Sequence, residues 1–567
     1  MFSGVVKFTV RSRSLFHLAA CVGLFSFVGV SELAADPSTE KRGLLGVSGT
    51  KSPYLVQFLV SGSDFLSIHG LTFDAKDNLY VGSVMGQAIY QVDVDTADVS
   101  VFVPPPEGMA DDLEFGPDGT AVWTSILTGK VHARRPDGKV YLVTDNLPGV
   151  NAVAFHPDGR LFVTQLLWGD ALWELDINGV KPPRQVRADM GYLNGFDFDS
   201  DGFLYGPLNL KGEVVRIDVD SGEMKTLATG FALPVAVNLD SKDNVYVADG
   251  TLGRLVKIDK DTGAQTLVAT VDSGIDNLAI NSRDEIFITN LVDNAIHKIN
   301  TRTGASRTLL HSELSVPGGI DVVSNGSHDT IYLGDLFTYS SIDGDTGEVT
   351  EIKRGLDAHF EWPMSVGVQG NKVITSSWFA DAVEIFDRQS GKSLAAYHNL
   401  VDPVDAMLLA DGRILVAEQG TGRLIALSPN DDIERQVIAS DLPGMAALRP
   451  FSKTEIYLSD VERGELLRVN VDTGEKTVVV GGLDHPEGFD VAPDGSIVLA
   501  EVGKQRLVRI NPVDGSIAEI AGNLAIGYPA AQGTPAVYIT TGVGVSENGT
   551  IYVTSDLNTA VYKITKQ

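Results

Sequence analysis

The stretch Asn194-Gly195-Phe196-Asp197-Phe198-Asp199-Ser200-Asp201-Gly202 decides the fold of this chain. It opens on a polar residue and a glycine, alternates apolar and acidic positions with the period of two that a half-buried strand requires, and closes on an Asp-Gly turn. Further along come Val214-Val215-Arg216-Ile217-Asp218 and the turn Ser221-Gly222. Together they read as strand, turn, strand, turn, strand, turn, strand, with no helical period between them.

Working outward, the same phrase recurs from His69 onward about every 40 residues, the length of one four-stranded propeller blade. Upstream it is legible in Leu113 to Phe115, Pro117-Asp118-Gly119 and Val122-Trp123-Thr124. Downstream it returns in Val245-Tyr246-Val247, Leu255-Val256-Lys257-Ile258-Asp259 and Asp261-Thr262-Gly263, then in Leu467-Arg468-Val469-Asn470 and Leu507-Val508-Arg509-Ile510-Asn511. The Asp-Gly and Asn-Gly pairs supply the positive φ that tight hairpins demand.

Twelve units are expected, opening near His69, Asp111, Asn151, Asn194, Val235, Asp276, Gly318, Met364, Asp405, Met445, Glu487 and Val543. Rings of about four to eight blades are usual, so the expectation is an all-β chain of two six-bladed β-propellers. The last unit stops after Tyr562-Lys563-Ile564 without a fourth strand. Tyr54 to Val60, alone before the first unit, is expected to supply it, so that the termini close one blade and cover its edge. The expected order is a signal peptide over 1–35, an N-terminal segment with the closing strand over 36–61, a first propeller over 62–314 and a second over 315–567. Asn523 to Gly542, rich in Gly, Pro and Ala, is the one long insertion and is expected to be a lid or a connection between rings.

The chain carries 44 Lys and Arg against 74 Asp and Glu, a formal charge of −30. That balance excludes a nucleic-acid partner, because a phosphate backbone is held by clustered cations. Neutral or cationic small molecules and divalent metals fit it. Lys7, Arg11 and Arg13 precede the apolar run Leu15 to Val30, and Ala34 and Ala35 follow it, the order of a secretion signal cleaved near Ala35. The expected location is therefore secreted or periplasmic. The run is shorter than the roughly 20 residues that span a bilayer, so no stable membrane span is expected in the mature chain. Cys21, the sole cysteine, lies inside the run, so the mature chain can form no disulfide. Leu18-Ala19-Ala20-Cys21 resembles a lipoprotein box, but the apolar run continues through Val22 to Val30 beyond the cysteine, which disfavours lipid anchoring. The phosphate-binding loop, thiolate-zinc and Gly-x-Ser-x-Gly patterns are all missing, which argues against nucleotide hydrolysis and the common serine hydrolases.

Asn194 to Gly202, together with Glu487-Gly488-Phe489-Asp490-Val491-Ala492-Pro493-Asp494-Gly495, resembles the opening strands of the NHL-repeat, gluconolactonase/regucalcin-like and virginiamycin B lyase-like propellers. In gluconolactonase-like enzymes a Glu, Asn or Asp just before such a glycine binds a divalent ion at the centre of the ring, in keeping with the preference of hard cations for oxygen ligands. Carried over position by position, the first ring offers His69, Asp111, Asn151, Asn194, Val235 and Asp276, of which all but Val235 can bind a metal or a polar ligand. The second offers Gly318, Met364, Asp405, Met445, Glu487 and Val543, of which only Asp405 and Glu487 can. The resemblance thus implies a lactonase- or esterase-like hydrolase of a small molecule. Asp111, Asn151, Asn194 and Asp276 would hold a divalent cation (Ca, Mg or Zn), and His69, Asp111 and Asp276 would be catalytic. The ion would polarise a carbonyl and acidify a water while His69 or a carboxylate takes the proton. His69 stands where those enzymes carry Glu, and Val235 interrupts the ligand series.

Two other readings stay open. Virginiamycin B lyase-like proteins eliminate rather than hydrolyse, using histidines and a glutamate with a divalent ion. Here His485-Pro486-Glu487, His359-Phe360-Glu361 and Asp405 would give an alternative second-ring site of Asp405, His485 and Glu487. Asp335, Glu418, Asp460 and Glu501, at the ends of second strands, would add an acidic collar able to collect cations. A non-catalytic scaffold for a ligand or a protein partner is the third reading. Trp168, Phe337, Trp362 and Trp378 would then be either a recognition surface or plugs between blades.

Overall fold

The computed structural model describes residues 53–356, 360–409, 411–428 and 431–567, with the side chains of 431–434 set aside. The expected signal peptide, Cys21 and His359 lie outside the described residues. Residues Ser52–Gln567 form one compact unit. Among the described residues the fold is all-β, with twelve four-stranded antiparallel sheets, each a simple meander of the kind that builds propeller blades.

The opening strands are Ile68–Phe73, Asp112–Phe115, Val150–Phe155, Asp197–Phe198, Pro234–Leu239 and Ile275–Ile280 in the first six sheets. In the last six they are Pro317–Asn325, Ser365–Gln369, Pro403–Leu408, Met445–Pro450, Pro486–Val491 and Val543–Val545. The expected starts hold to within a residue except at Asn194, where the ladder begins at Asp197, and at Asp405, which lies inside a strand beginning at Pro403. The twelfth sheet takes its fourth strand from the other end of the chain: Tyr54–Val60 pairs antiparallel with Ala560–Lys566, from Tyr54 opposite Lys566 to Val60 opposite Val561.

Local chemistry explains the repeat. An Asp or Asn in most of the described third turns folds back on its own backbone: Asp259 Oδ1 accepts from the N–H groups of Asp261 and Thr262, and Gly263 follows with a positive φ. This Asx turn is why Asp, Thr and Gly recur together. The glycine of the opening strand answers a different demand. A Cβ on Gly70 would lie 2.6 Å from the Asp111 carbonyl oxygen, and one on Gly488 would lie 2.0 Å from that of Thr541. Adjacent opening strands therefore touch backbone to backbone, and Gly70 N–H donates to the Asp111 carbonyl at 2.8 Å.

Each opening strand contacts the next through the first six sheets, and the sixth, Ile275–Ile280, lies against the first, Ile68–Phe73. A second-strand hydroxyl clasps that junction, since Thr289 Oγ1 donates to the His69 carbonyl at 2.6 Å. The last six follow the same order, and the twelfth opening strand lies against the seventh. Each pair of neighbouring sheets encloses its own apolar layer, such as Val122, Val131, Val153 and Val163. One larger cluster joins the two groups: Leu66, Met85, Met109 and Val292 of the first pack with Val316, Phe337 and Met364 of the second. The insertion contributes Val537, Tyr538 and Ile539 to the same cluster.

Candidate functional site

In each sheet the antiparallel register sets the start of the first strand level with the end of the second. Ile68 is opposite Ser83, Val150 opposite Gln165 and Pro234 opposite Asp249. The residue just before the close-packed glycine or its equivalent therefore stands at one end of the group, here called its mouth.

At the mouth of the first six sheets, His69 sits between two carboxylates contributed by its neighbours on either side. Its Nδ1 lies 3.2 Å from Asp276 Oδ2 and 3.8 Å from Asp111 Oδ1. Ser67 Oγ is 2.8 Å from Nε2 and fixes the other face of the ring. Asn151 Nδ2 donates to Asp111 Oδ2, extending the chain of contacts to a third sheet. Asn194 Oδ1 accepts from the Gly195 N–H at 2.9 Å, so this residue is held by its own backbone. Val235 is buried and apolar. The structure thus joins His69, Asp111, Asn151 and Asp276 in one network and leaves Asn194 beside it.

Electrostatics tie the network together. Burial acts to depress the His69 imidazole, but the charge and hydrogen bond of Asp276 and the charge of Asp111 outweigh it, so its pKa is raised. Burial pushes Asp111 up, against the opposing pull of His69. The side chains of His69, Asp111 and Asp276 stay 14%, 11% and 23% exposed, enough for a small molecule to touch them. Deeper in the same group, burial pushes Asp112 to about 7 and Glu114 to about 8, with neighbouring carboxylates adding to both.

The donors suit a hard divalent cation in kind. They include buried carboxylates with only one imidazole to balance them, and His69 Nδ1 approaches both at spacings that ligands of a shared ion adopt. They are not a closed cage. Among the described residues only His328, Asp343 and Asp345 bring three such atoms within 4.8 Å of one another. That exposed group is already engaged by a cation, because Lys563 Nζ lies 3.6 Å from Asp345 Oδ1.

The last six sheets differ. Pro403, Met445 and Pro486 are equivalent, opposite Glu418, Asp460 and Glu501, so the residues level with Glu487 are Val404 and Ala446. Asp405 and Met445 were expected at that level and stand one residue off it. Asp405 is buried, accepts from Ser365 Oγ and the Leu448 N–H, both at 2.7 Å, and faces Arg449 Nη1 at 3.6 Å. Glu487 Oε2 accepts from the Thr541 N–H at 2.7 Å. His485 is exposed and paired with Asp484 at 2.9 Å. Each of these three therefore has a partner of its own, and Met364, Val404, Ala446, Val537 and Tyr538 pack together at this mouth.

The expected acidic collar has a structural job. Asp335 accepts from the N–H groups of Ser315 and Val316, and Glu418 from Val401. Asp460 accepts from Glu462 and Arg463, and Glu501 from Asp484, so each carboxylate pins a loop at the mouth. Of the four rim aromatics, Phe337 and Trp378 are buried and Trp362 packs on the same cluster. Trp168 alone stands out from the surface. Arg449 escaped the sequence reading, although a lone basic residue at the position equivalent to Asp490 was its visible signal.

No protein-family model and no curated protein matches this sequence. Among solved structures, a virginiamycin B lyase from Staphylococcus aureus is similar at 16% identity and a TM-score of 0.37, over 49% of this chain and 96% of its own. A gluconolactonase from Xanthomonas campestris is similar at 15% identity and a TM-score of 0.35, over 42% of this chain and 86% of its own. The extracellular domain described for a hybrid two-component system of B. thetaiotaomicron reaches a TM-score of 0.33 at 10% identity, over 90% of this chain and 82% of its own. With every TM-score this low, none of these likenesses assigns an activity or a ligand to this chain.

Proposed function

We propose that the chain is an exported pair of six-bladed propellers, dividing near residues 314 and 315, whose first ring hydrolyses a small lactone or ester at its mouth. The observation that supports this reading is the placement of His69 between Asp276 and Asp111, where a reacting water can lose its proton to an imidazole held by two carboxylates. Asp276 orients the ring and stabilises its charged form, as the carboxylate partner of a catalytic histidine does. Asp276 holds the proton on Nδ1, so Nε2, 2.8 Å from Ser67 Oγ, is the nitrogen whose lone pair would take the water's proton. Asn151 holds Asp111 in place and, with Asn194, offers amide groups to the substrate carbonyl.

A divalent cation held by Asp111, Asn151, Asn194 and Asp276 would supply Lewis-acid polarisation of that carbonyl. The proton transfer itself belongs to His69. The second mouth is filled by its own side chains and the insertion, so the working site is placed in the first. Phe337 roofs part of the mouth, its ring 6.2 Å from the His69 imidazole, which favours a small substrate. Among the described residues no helix is long and apolar enough to cross a membrane.

The test is elemental analysis of the purified mature protein, then a screen against lactones and esters with and without chelator, repeated on His69→Gln. Turnover that falls with chelator and with the substitution supports the reading. Turnover indifferent to His69, or none with any lactone or ester, overturns it.

A further inference from the structure

All six loops between second and third strands in the first group carry an apolar residue toward the mouth side: Met85, Leu127, Trp168, Leu210, Leu252 and Val292. Register fixes their level. Val150 is opposite Gln165 and Gln165 opposite Ala171, with Trp168 in the loop between. Leu193 bridges Leu208, opposite Glu213, with Leu210 between; Pro234 is opposite Asp249, and Asp249 opposite Arg254, with Leu252 between.

These six are not treated alike. Met85 and Val292 are buried and Leu127 packs against the cluster that joins the two groups. The insertion holds that cover down: Tyr538 OH lies 3.4 Å from Met85 Sδ, Gln87 Nε2 donates to the Pro529 carbonyl at 2.8 Å, and Lys130 Nζ donates to Gln532 at 2.8 Å. Trp168, Leu210 and Leu252, on three consecutive sheets, remain 54%, 56% and 45% exposed. So one side of the mouth is roofed and the opposite side has an uncovered apolar rim, beside the sheets that supply Asn151 and Asn194.

We propose that this rim is the specificity element of the site, which seats the apolar body of an uncharged or cationic substrate while its reactive carbonyl points inward to His69. This rests on the hydrolase reading above. Covering exposed apolar surface favours such a body. Charge selects against anions: Asp111 and Asp276 lie at the mouth, and the chain carries −30 overall. A tryptophan face also accepts a cationic group.

The experiment compares two probes that share one ring system on the full mature chain. N-phenyl-1-naphthylamine is uncharged, and 1-anilinonaphthalene-8-sulfonate is its anionic relative. The expected result is one tight site for the uncharged probe, weakened about tenfold or more in the Trp168→Ala, Leu210→Ala, Leu252→Ala triple variant, with the anionic probe at least about fivefold weaker on the wild type. In parallel, kcat/KM for γ-lactones of increasing alkyl length should rise with length in the wild type and flatten in the variant, the shortest lactone being unaffected. Equal binding of both probes, or binding indifferent to the triple substitution, overturns the proposal. If no lactone or ester is turned over but the probes behave as expected, the hydrolase reading fails and the rim stands. If turnover needs His69 but ignores chain length and the rim, the rim fails and the hydrolase stands.

Discussion

His69 Nδ1 lies 3.2 Å from Asp276 Oδ2, which makes direct partners of the residues that open the first and sixth sheets. No local segment can produce that pair. It exists only because the opening strand of the sixth sheet, Ile275–Ile280, lies against that of the first, Ile68–Phe73.

His69→Gln should lower kcat/KM for a responsive lactone by about 10²- to 10⁴-fold, the range for loss of a positioned acid or base. Asp276→Asn, which keeps the shape but removes the charge that orients the imidazole, should fall between this variant and the wild type. Steady-state kinetics at fixed pH checks both, and equal activity in all three proteins would remove His69 from the mechanism.

Glu487 and Asp556 anchor the two ends of the insertion. Glu487 Oε2 accepts the Thr541 N–H at 2.7 Å, and Asp556 accepts the Gly527 N–H at 2.9 Å and the Tyr528 N–H at 2.6 Å. Burial, with the charge of Asp556 adding to it, pushes Glu487 to about 8; burial pushes Asp556 to about 7. A carboxyl with a raised folded pKa binds its proton more tightly in the folded state. The unfolded chain therefore deprotonates first, and stability falls as pH rises from the ordinary carboxylate range toward 8. Glu487→Gln keeps an acceptor for Thr541 but no longer ionises, so its Tm should decline less steeply than that of the wild type between about pH 5 and 8. Calorimetry across that range checks the slope, and parallel curves would refute the assignment.

Much of this was legible in the sequence, because the repeat is written in residues whose roles are local. Asp259, Thr262 and Gly263 announce a turn, and Gly70 or Gly488 announces a strand that must touch its neighbour. The twelve units and the closing strand Tyr54–Val60 followed from that phrasing. The register of the last six sheets did not. Asp405 and Met445 look like mouth residues, yet the pairing of Pro403 with Glu418 and of Met445 with Asp460 puts Val404 and Ala446 at that level instead. The partners of Asp335, Glu418, Asp460 and Glu501 were equally hidden, since they are backbone N–H groups that no side-chain pattern reveals. The covering of only half the first mouth depends on where the insertion lands, and its composition carries no such address.

Arg449 is the buried counter-charge of the second group. Its guanidinium lies 3.6 Å from Asp405 and 3.9 Å from Asp490 and donates to the Ile320 carbonyl at 3.1 Å; Asp321 adds a third carboxylate to its field. The Arg449→Met variant leaves these carboxylates unbalanced and should cost about 3–5 kcal/mol, the usual penalty for removing one partner of a buried pair. Adding Asp405→Asn should restore part of the loss, because one unpaired charge disappears with it. Denaturant unfolding of the two variants reads the difference, and a fully additive loss would show that the pair is not coupled.

The strand Tyr54–Val60 covers the edge of the twelfth sheet, and Tyr54 and Val56 pack on the apolar layer that includes Tyr562 and Ile564. A chain beginning at Ser61 should therefore expose the ladder of Ala560–Lys566 as an unpaired edge, a template for pairing with other chains. Compared with a chain beginning at Ser52, it should melt at a lower temperature and associate as its concentration rises, which calorimetry and light scattering would register. A peptide of residues 54–60 added in excess should reverse both effects by restoring the strand in trans. Failure of the peptide to do so, with the shorter chain equally stable and monomeric, would mean that the pairing contributes nothing to closure.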